Sequence, residues 1–281
     1  MITAKKSLGQ NFLADRQIAR RIVASVAPLP GDLIIEIGPG AGALTILLAE
    51  ASGYVVAIEI DRRLIEELRR TFASNRVAII EADALAVNWN ALIDSAIEGW
   101  RAATLSDGEP RLRVVANLPY YISTAIIERL MTLGKRLFDM TLMLQSEVVE
   151  RIASPPGSRE YGYLSVLVQY HCSAAKLFDV PPTAFRPPPK VQSAILRLTT
   201  RERPAVDVSD EARFFALVRA AFAQRRKTIA NNLKAARHAL GITDEINAAL
   251  ERAGIEAQRR AETLSLDEFA ALFHALFEAS S

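Results

Sequence analysis

The stretch that decides the fold is Leu33-Ile-Ile-Glu36-Ile-Gly38-Pro-Gly40-Ala-Gly42, in which a short apolar run opens into a glycine-rich turn. The helical pattern of residues 43–51 comes directly after it. Such a unit lets a nucleotide-type ligand approach the backbone closely, although structural tight turns use the same residues. A dinucleotide-binding turn has its third glycine three residues after its second. Here Gly42 follows Gly40 by two, so the spacing argues against a nicotinamide site.

Short β-rich runs recur along the chain with helical patterns between them, at residues 33–37, 54–60, 77–81, 112–116 and 141–145. This alternation is typical of a doubly wound α/β sheet. A last strand is predicted at 191–199, and a polar loop at 98–110. We predict one domain over residues 1–201, of which 1–30 form a basic N-terminal arm and helix. A small all-helical domain is predicted over 202–281, and its last helix starts with a capping box of Ser265 and Glu268.

Composition excludes several protein classes. The chain has 281 residues, 50% of them hydrophobic and 23% charged, and one cysteine, Cys172. It is too apolar for a disordered chain and cannot be a disulfide-stapled miniprotein. No apolar run approaches the roughly 18 to 20 residues of a membrane span, and no signal peptide is evident. We therefore expect a globular, cytoplasmic protein that has no membrane partner and is monomeric by default.

Charge is unevenly distributed although the net charge is only +2. Residues 1–30 hold five basic residues and one acidic residue, and residues 201–240 hold nine and four, whereas residues 31–110 are acidic. Converging basic segments could bind a polyanion. The alternative is a set of separate solvated faces, which composition alone slightly favours.

Two carboxylates come at the ends of the next strands of the predicted sheet. Glu59 ends the second strand, 21 residues after Gly38, and can accept hydrogen bonds from both hydroxyls of a ribose. Asp83 ends the third and can accept from an adenine amine. Either residue alone could be a helix cap. Together with Gly38 and Gly40 they predict an adenosyl-containing ligand at the carboxyl ends of the strands.

The most specific motif is Asn117-Leu118-Pro119-Tyr120, after the fourth strand. It matches the Asn-x-Pro-Tyr signature of methyltransferases that act on the adenine amine, a poor nucleophile because its lone pair is delocalised into the ring. The Asn117 side-chain oxygen and the Leu118 carbonyl can accept the amine hydrogens, and Pro119 stiffens the turn. Tyr120 offers the base a stacking face worth about 1 to 3 kcal/mol. The alternative is an ordinary Asn-Pro turn with a packed tyrosine.

The predicted reaction needs neither a dedicated base nor a metal ion. An adenine amine becomes acidic once it is methylated and can lose its proton to water or to a carbonyl acceptor. The three histidines, His171, His238 and His274, stand without carboxylate or cysteine partners at metal-ligand spacings. Catalysis would rest on aligning a sulfonium methyl with the amine.

With these residues in view, the chain closely resembles the ribosomal RNA adenine N6,N6-dimethyltransferases of the small-subunit branch, over nearly its whole length. That resemblance implies a Rossmann-like class I methyltransferase sheet with helices on both faces, plus a small all-helical C-terminal domain. Lys6-Ser-Leu-Gly-Gln10-Asn11-Phe12-Leu13 is similar to the family's N-terminal motif. It implies an S-adenosyl-L-methionine pocket lined by Asn11, Leu13, Gly38, Gly40, Glu59, Asp83 and Asn117.

Two further motifs resemble the same family. Phe185-Arg-Pro187-Pro-Pro189 is similar to its aromatic loop, which implies that Phe185 closes on the adenine face opposite Tyr120. The segment 222–233 resembles the motif that separates small-subunit enzymes from their large-subunit antibiotic-resistance relatives, and implies RNA contacts by Arg225, Arg226 and Lys227. A helix through this segment would put Arg226 and Lys227 on one face. The periodicity alone is equally compatible with an RNA-binding face and with a face that is only solvated.

The resemblance implies dimethylation of the N6 amines of two adjacent adenosines near the 3′ end of small-subunit (16S) ribosomal RNA, with the small ribosomal subunit as partner. Three alternatives stay open at this point. The first is a large-subunit adenine methyltransferase of the macrolide-resistance type. The second is a non-catalytic ribosome-assembly or RNA-binding factor. The third and weakest is a nicotinamide-linked oxidoreductase.

Overall fold

The computed structural model describes residues 4–5, 8–73, 75–242 and 245–278. The chain divides into two compact units. The first comprises the described residues of 1–149 and 174–200, and the second those of 150–173 and 201–281. The predicted first domain, 1–201, differs from the first unit in the segment 150–173 and in its last residue, Arg201. That segment packs with the helical unit because Tyr161, Val166 and Tyr170 lie in one apolar cluster with Phe214 and Leu233.

The first unit is built on a seven-stranded sheet. Its strands are β2 (Asp32–Ile37), β3 (Tyr54–Glu59), β4 (Val77–Glu81), β5 (Arg111–Asn117), β6 (Asp139–Gln145), β7 (Cys172–Val180) and β9 (Ser193–Thr200), in the order β4-β3-β2-β5-β6-β9-β7. The five strands from β4 to β6 pair in parallel, and β9 runs antiparallel to β6. Strand order reverses between β2 and β5, and ligands bind at such switch points outside the carboxyl ends of the strands.

The helices of this unit are α1 (Arg16–Val26), α2 (Thr45–Ala51), α3 (Arg62–Thr71), α4 (Trp89–Thr104) and α5 (Ser123–Met131), and α6 (Ser146–Ala153) crosses the boundary at residue 149. Two short strands, β1 (Phe12–Leu13) and β8 (Phe185–Arg186), form a separate antiparallel pair. The core contains side chains from the central strands, such as Ile34, Val55 and Val115. Central strands buried on both faces explain why the sequence shows continuous apolar runs there.

Two local expectations are only partly met by the structure. The polar stretch 98–110 is not wholly a loop, because α4 continues to Thr104. Buried Trp89, Ile93 and Trp100 hold the helix in place. The helix considered for the whole segment 222–233 covers only its second part, since the helix after α8 (Glu211–Ala221) begins at Ile229, after the N-cap Thr228.

The second unit contains α7 (Tyr163–His171), α8, α9 (Ile229–Leu240), α10 (Ile246–Arg252) and α11 (Leu266–Phe277). They enclose an apolar cluster that includes Phe214, Leu250, Phe269 and Phe273, each almost fully buried. The C-terminal stretch is therefore helical, as the sequence predicts. None of the described helices is long and apolar enough to cross a membrane.

Replacing Ser265 by alanine is expected to lower the free energy of unfolding by about 1 kcal/mol. The predicted capping box is present: Ser265 Oγ accepts from the Glu268 amide at 3.1 Å, and Glu268 Oε2 accepts from the Ser265 amide at 2.8 Å. Urea denaturation measures the loss. Ser265→Asp keeps an acceptor at the cap and serves as control; equal losses in both variants would show that capping does not stabilise α11.

Candidate active site at the carboxyl ends of the strands

A cavity of about 320 Å³ lies at the carboxyl ends of β2, β3 and β5. Its walls come from the turns at the ends of these strands and from the N-terminal segment around β1. The structure brings together there all the residues for which the sequence predicts cofactor contact, together with the predicted target-base motif: Asn11, Leu13, Gly38, Gly40, Glu59, Asp83, Asn117, Leu118, Pro119 and Tyr120.

The glycine-rich turn lines this cavity with residues 38–41. Gly38 and Gly40 have φ values of +68° and +58°, a conformation that side-chain-bearing residues rarely adopt. A Cβ on Gly40 would also lie 3.0 Å from the Phe12 ring. The turn therefore needs glycine for its backbone conformation and for the close approach of the N-terminal segment.

Glu59 is held rigidly at the end of β3. Its Oε1 accepts from the amides of Ile60 at 2.9 Å and Asp61 at 3.0 Å, and its Oε2 accepts from the Gly40 amide at 3.3 Å. Burial raises the pKa of Glu59, and the three hydrogen bonds from backbone amides oppose that rise. Because each carboxylate oxygen has two lone pairs, Oε2 retains capacity to accept from a ligand hydroxyl.

Asp83 lies in the turn after β4 and is exposed toward solvent, where it also lines the cavity. Its Oδ1 accepts from the Leu85 amide at 2.8 Å, which orients the carboxylate. Asp83 therefore serves partly as a local turn cap, the alternative that the sequence leaves open, and still offers acceptor capacity at the cavity.

The Asn117–Tyr120 motif comes directly at the end of β5. Asn117 Nδ2 donates to the Asn11 carbonyl at 3.2 Å, which leaves the side-chain oxygen of Asn117 as an acceptor. The Tyr120 hydroxyl lies 2.7 Å from Ser193 Oγ, so the ring is anchored at its far end. Burial raises the pKa of Tyr120, which therefore stays a neutral phenol near neutral pH. The motif presents acceptors and an aromatic ring on one side of the cavity.

Glu36 lines the cavity too, and the sequence motifs did not single it out. The residue is only 2% exposed, and its Oε2 has no hydrogen-bond partner among the described residues. Burial raises the pKa of Glu36 to about 7, with Thr45 opposing the rise and Glu59 adding to it. An acidic residue inside an apolar strand was the available signal, because an isolated buried carboxylate is costly.

The cavity fits S-adenosyl-L-methionine by the chemistry of its walls. The cofactor carries an ammonium and a sulfonium cation, ribose hydroxyls and an adenine amine. The orphaned Glu36 oxygen, the partly satisfied carboxylate of Glu59 and the exposed Asp83 provide acceptors for such groups. The described residues contain no group of three or more His, Cys, Asp or Glu that could hold a metal ion.

Phe185 departs from its predicted position. It is 2% exposed and lies in the core with Leu13, Val180 and Ala184, and it does not line the cavity. Its pairing with Leu13 in the β1–β8 sheet holds the backbone there. The expectation that Phe185 closes on the base opposite Tyr120 is therefore not met in this structure.

Arg225, Arg226 and Lys227 lie in the second unit, in the exposed turn between α8 and α9. Arg225 donates to Glu262 Oε2 at 3.1 Å. This ion pair neutralises one charge of the trio. The three residues belong to a different unit from the residues that line the cavity, which all come from the first unit.

A comparison with known families decides between the alternatives for the enzyme class. The family described as ribosomal RNA adenine dimethylase matches residues 1–277. The chain belongs to this family. The ribosomal RNA adenine dimethylases are S-adenosylmethionine-dependent methyltransferases, so the chain is an rRNA-modifying methyltransferase, and the predicted enzyme class and cofactor are confirmed.

Several relatives match over nearly their full length. Proteins named ribosomal RNA small subunit methyltransferase A are 47% identical in Geobacter sulfurreducens (99% of this chain, 97% of the relative) and 46% identical in Moorella thermoacetica (98% and 93%). Among solved structures, a dimethyladenosine transferase from Plasmodium falciparum has a TM-score of 0.74 at 24% identity (93% and 95% covered). The 23S rRNA methyltransferase ErmE has a TM-score of 0.66 at 25% identity (95% and 99%). These similarities confirm the predicted fold class.

Proposed function

We propose that this dimethylase transfers methyl groups to the N6 amines of two adjacent adenosines near the 3′ end of small-subunit ribosomal RNA, as part of ribosome biogenesis. The observation that carries the proposal is that Asn117–Tyr120 line the same cavity as the carboxylates of Glu36, Glu59 and Asp83. The small-subunit specificity is supported by relatives of 46–47% identity that carry that name. Residues 1–201 would bind the cofactor, and residues 202–281 would bind RNA.

In this proposal Asn11, Leu13, Gly38, Gly40, Glu59, Asp83 and Asn117 hold the cofactor, which supplies an electrophilic methyl group. The Asn117 side-chain oxygen and the Leu118 carbonyl accept the two amine hydrogens and aim the nitrogen lone pair at that methyl. Tyr120 stacks on the base, and its bond to Ser193 fixes the ring. In each round the amine nitrogen would form one bond to the methyl carbon while that carbon's bond to the cofactor sulfur breaks. S-adenosylhomocysteine would then leave, and the methylated amine would lose one proton to water or to a carbonyl acceptor.

The deciding experiment is methyl transfer from labelled S-adenosylmethionine to small ribosomal subunits that lack adenine dimethylation. Label is expected as dimethyladenosine on small subunits and not on large subunits assayed in parallel. Label on the large subunit would contradict the proposal in favour of the macrolide-resistance type. Tight binding to small subunits without label would contradict it in favour of a ribosome-assembly factor.

We propose that the turn carrying Arg225, Arg226 and Lys227 contacts RNA phosphates, together with the basic N-terminal arm. All three side chains are exposed, and neither Arg226 nor Lys227 forms an ion pair with a described residue that would weaken its attraction for phosphate. The target adenosines must leave their loop to enter the cavity, so contacts to the surrounding backbone would hold the RNA.

Reversing both charges in Arg226→Glu and Lys227→Glu is expected to weaken small-subunit binding about tenfold or more at moderate salt. The double variant should also flatten the dependence of log affinity on log salt, because fewer counterions are released. Filter binding over a salt series measures both. Arg129→Glu with Lys135→Glu makes the same charge change at exposed positions of the first unit. Equal losses of affinity in the two double variants would show that the effect comes from the net charge of the protein and not from this turn.

We also propose that the protein acts as a monomer in the cytoplasm. One chain already brings together every residue that is proposed to bind the cofactor or the target base in the cavity. A ribosomal RNA substrate fits a cytoplasmic location. Light scattering at the concentrations of the methylation assay tests the first statement, and a stable dimer there would contradict it.

A further inference from the structure

We propose that Asp61 is a positioning residue that holds the N-terminal arm over the cofactor cavity. The part of the arm that is meant precedes helix α1 and comprises the described residues 4–5 and 8–13. Of these, Leu8 to Leu13 line the cavity. Asp61 does not itself line the cavity. The inference rests on the proposed cofactor site, and it names a residue that would control that site from outside.

Asp61 is a buried carboxylate that binds two residues of one segment that is distant in the sequence. It accepts from Lys5 Nζ at 3.2 Å through Oδ1 and from Gln10 Nε2 at 3.2 Å through Oδ2. From the adjoining helix α3 it accepts from Arg63 Nη2 at 2.7 Å. The Asp61 side chain is 0% exposed, whereas Lys5 is 44% exposed and Arg63 is 41% exposed. The buried acceptor therefore anchors two arm residues that solvent could otherwise hydrate.

Asp61 stays ionised at neutral pH. The hydrogen bonds from Arg63, and then those from Gln10 and Lys5, hold the pKa of this carboxyl well below its usual range. A buried ionised group that loses some of its donors is costly, so the arm gains stability by remaining in place. The attachment is thus independent of pH over the neutral range.

Glu59, the predicted ribose acceptor, lies two residues before Asp61 in the chain. The Asp61 amide donates to Glu59 Oε1 at 3.0 Å, so Glu59 and the anchor of the arm are linked by one hydrogen bond. On the arm, the Asn11 carbonyl accepts from Asn117 Nδ2. The arm is thereby attached on two sides of the cavity. Releasing it at Asp61 would loosen the wall that Gln10 and Asn11 form, while the β1–β8 pair still holds Leu13.

The test uses variants on each side of the anchor. Lys5→Met with Gln10→Leu removes the arm's donors, and Asp61→Asn removes the charge but keeps an acceptor for the Arg63 amide at the start of α3. Arg63→Met is the matched control, because it removes a partner of Asp61 that is not on the arm. Calorimetric affinity for S-adenosylhomocysteine and hydrogen exchange of residues 8–13 are measured in the full-length protein.

The Lys5→Met/Gln10→Leu variant and the Asp61→Asn variant are each expected to bind S-adenosylhomocysteine about tenfold more weakly than wild type. In wild type the ligand should slow hydrogen exchange of residues 8–13, and in both variants this protection should disappear. Arg63→Met should stay within about twofold of wild type. In methylation assays, KM for S-adenosylmethionine should rise while kcat stays nearly unchanged. Combining Asp61→Asn with the arm variant should add little, since both break the same attachment.

Three outcomes would overturn the inference. Wild-type affinity in the arm variant would show that the anchor does not support the cavity, while the proposed function stands. A loss in Arg63→Met equal to that in Asp61→Asn would assign the effect to the turn and not to the arm. Failure of the wild-type protein to bind S-adenosylhomocysteine would overturn the cofactor site and this inference together. If Asp61→Asn unfolds, the Lys5 and Gln10 variant decides alone.

Discussion

Replacing Asn117 by alanine is expected to lower kcat for methyl transfer about 100- to 1000-fold, the typical cost of removing one preorganised polar group from the reacting centre. The physical reason is the weak nucleophilicity of the adenine amine, whose lone pair must be turned toward the methyl. Asn117 is suited to that task because its Nδ2 is already engaged with the Asn11 carbonyl at 3.2 Å. Its oxygen therefore needs no reorganisation when the base arrives.

Single-turnover methylation of small subunits measures this effect, and stabilisation by S-adenosylhomocysteine verifies that the variant folds and binds. Asn90→Ala is the matched control, since Asn90 accepts from Arg136 on an exposed surface outside the cavity. Asn117→Asp keeps the acceptor but loses the bond to Asn11, so we expect an intermediate rate. A kcat for Asn117→Ala within tenfold of wild type would show that other groups orient the amine.

The sheet and most of the site could be predicted from the sequence because the relevant residues lie at the ends of strands that are buried on both faces. Strands such as β2 and β3 are uninterrupted apolar runs apart from their acidic residues, and the residues after each run must lie at the same edge of a parallel sheet. Glu59 and Asp83 could be placed by this rule alone. Asn11 could not, and only the resemblance to a family indicated it.

The remaining features depend on contacts between distant segments. Strand β7 was not predicted because only its two end residues, Cys172 and Val180, are buried, so it lacks the alternation that marks a strand. The two-residue strands β1 and β8 are too short to show any period. The attachment of Lys5 to Asp61 spans 56 positions, which no local pattern can reveal. Phe185 was assigned by motif, and packing against Leu13 places it elsewhere.

Glu36 shows most clearly how stability and site chemistry conflict in this protein. Burial and, to a smaller extent, repulsion from Glu59 raise the pKa of its carboxyl from 4.5 to about 7, and Thr45 opposes that rise. Each pH unit of such a shift corresponds to about 1.4 kcal/mol, so the ionised form costs about 3 kcal/mol. A cation bound in the cavity would offset that cost by Coulomb attraction. The carboxylate therefore opposes folding of the free protein and favours a cationic ligand.

Replacing Glu36 by glutamine is expected to remove a pH dependence of stability. The folded wild-type protein keeps the Glu36 proton up to a pKa of about 7, whereas the unfolded chain loses it near 4.5. Between these values the unfolded state binds fewer protons, so the free energy of unfolding falls as pH rises, and it levels off above about pH 7. The glutamine cannot ionise. The stability of the variant relative to wild type should therefore increase by about 3 kcal/mol from about pH 4.5 to about pH 8.

Urea denaturation of both proteins at a series of pH values measures this difference, and its change with pH is independent of any fixed cost of burying the glutamine amide. Glu67→Gln, at an exposed position on α3, is the control and should run parallel to wild type. Adding S-adenosylmethionine should reduce the difference in free energy of unfolding between Glu36→Gln and wild type at about pH 8. The reason is that the bound cation stabilises the ionised carboxylate, which only the wild-type protein has. Parallel curves for Glu36→Gln and wild type would mean that Glu36 is already ionised in the folded protein at about pH 5, and the cavity would then hold a permanent negative charge.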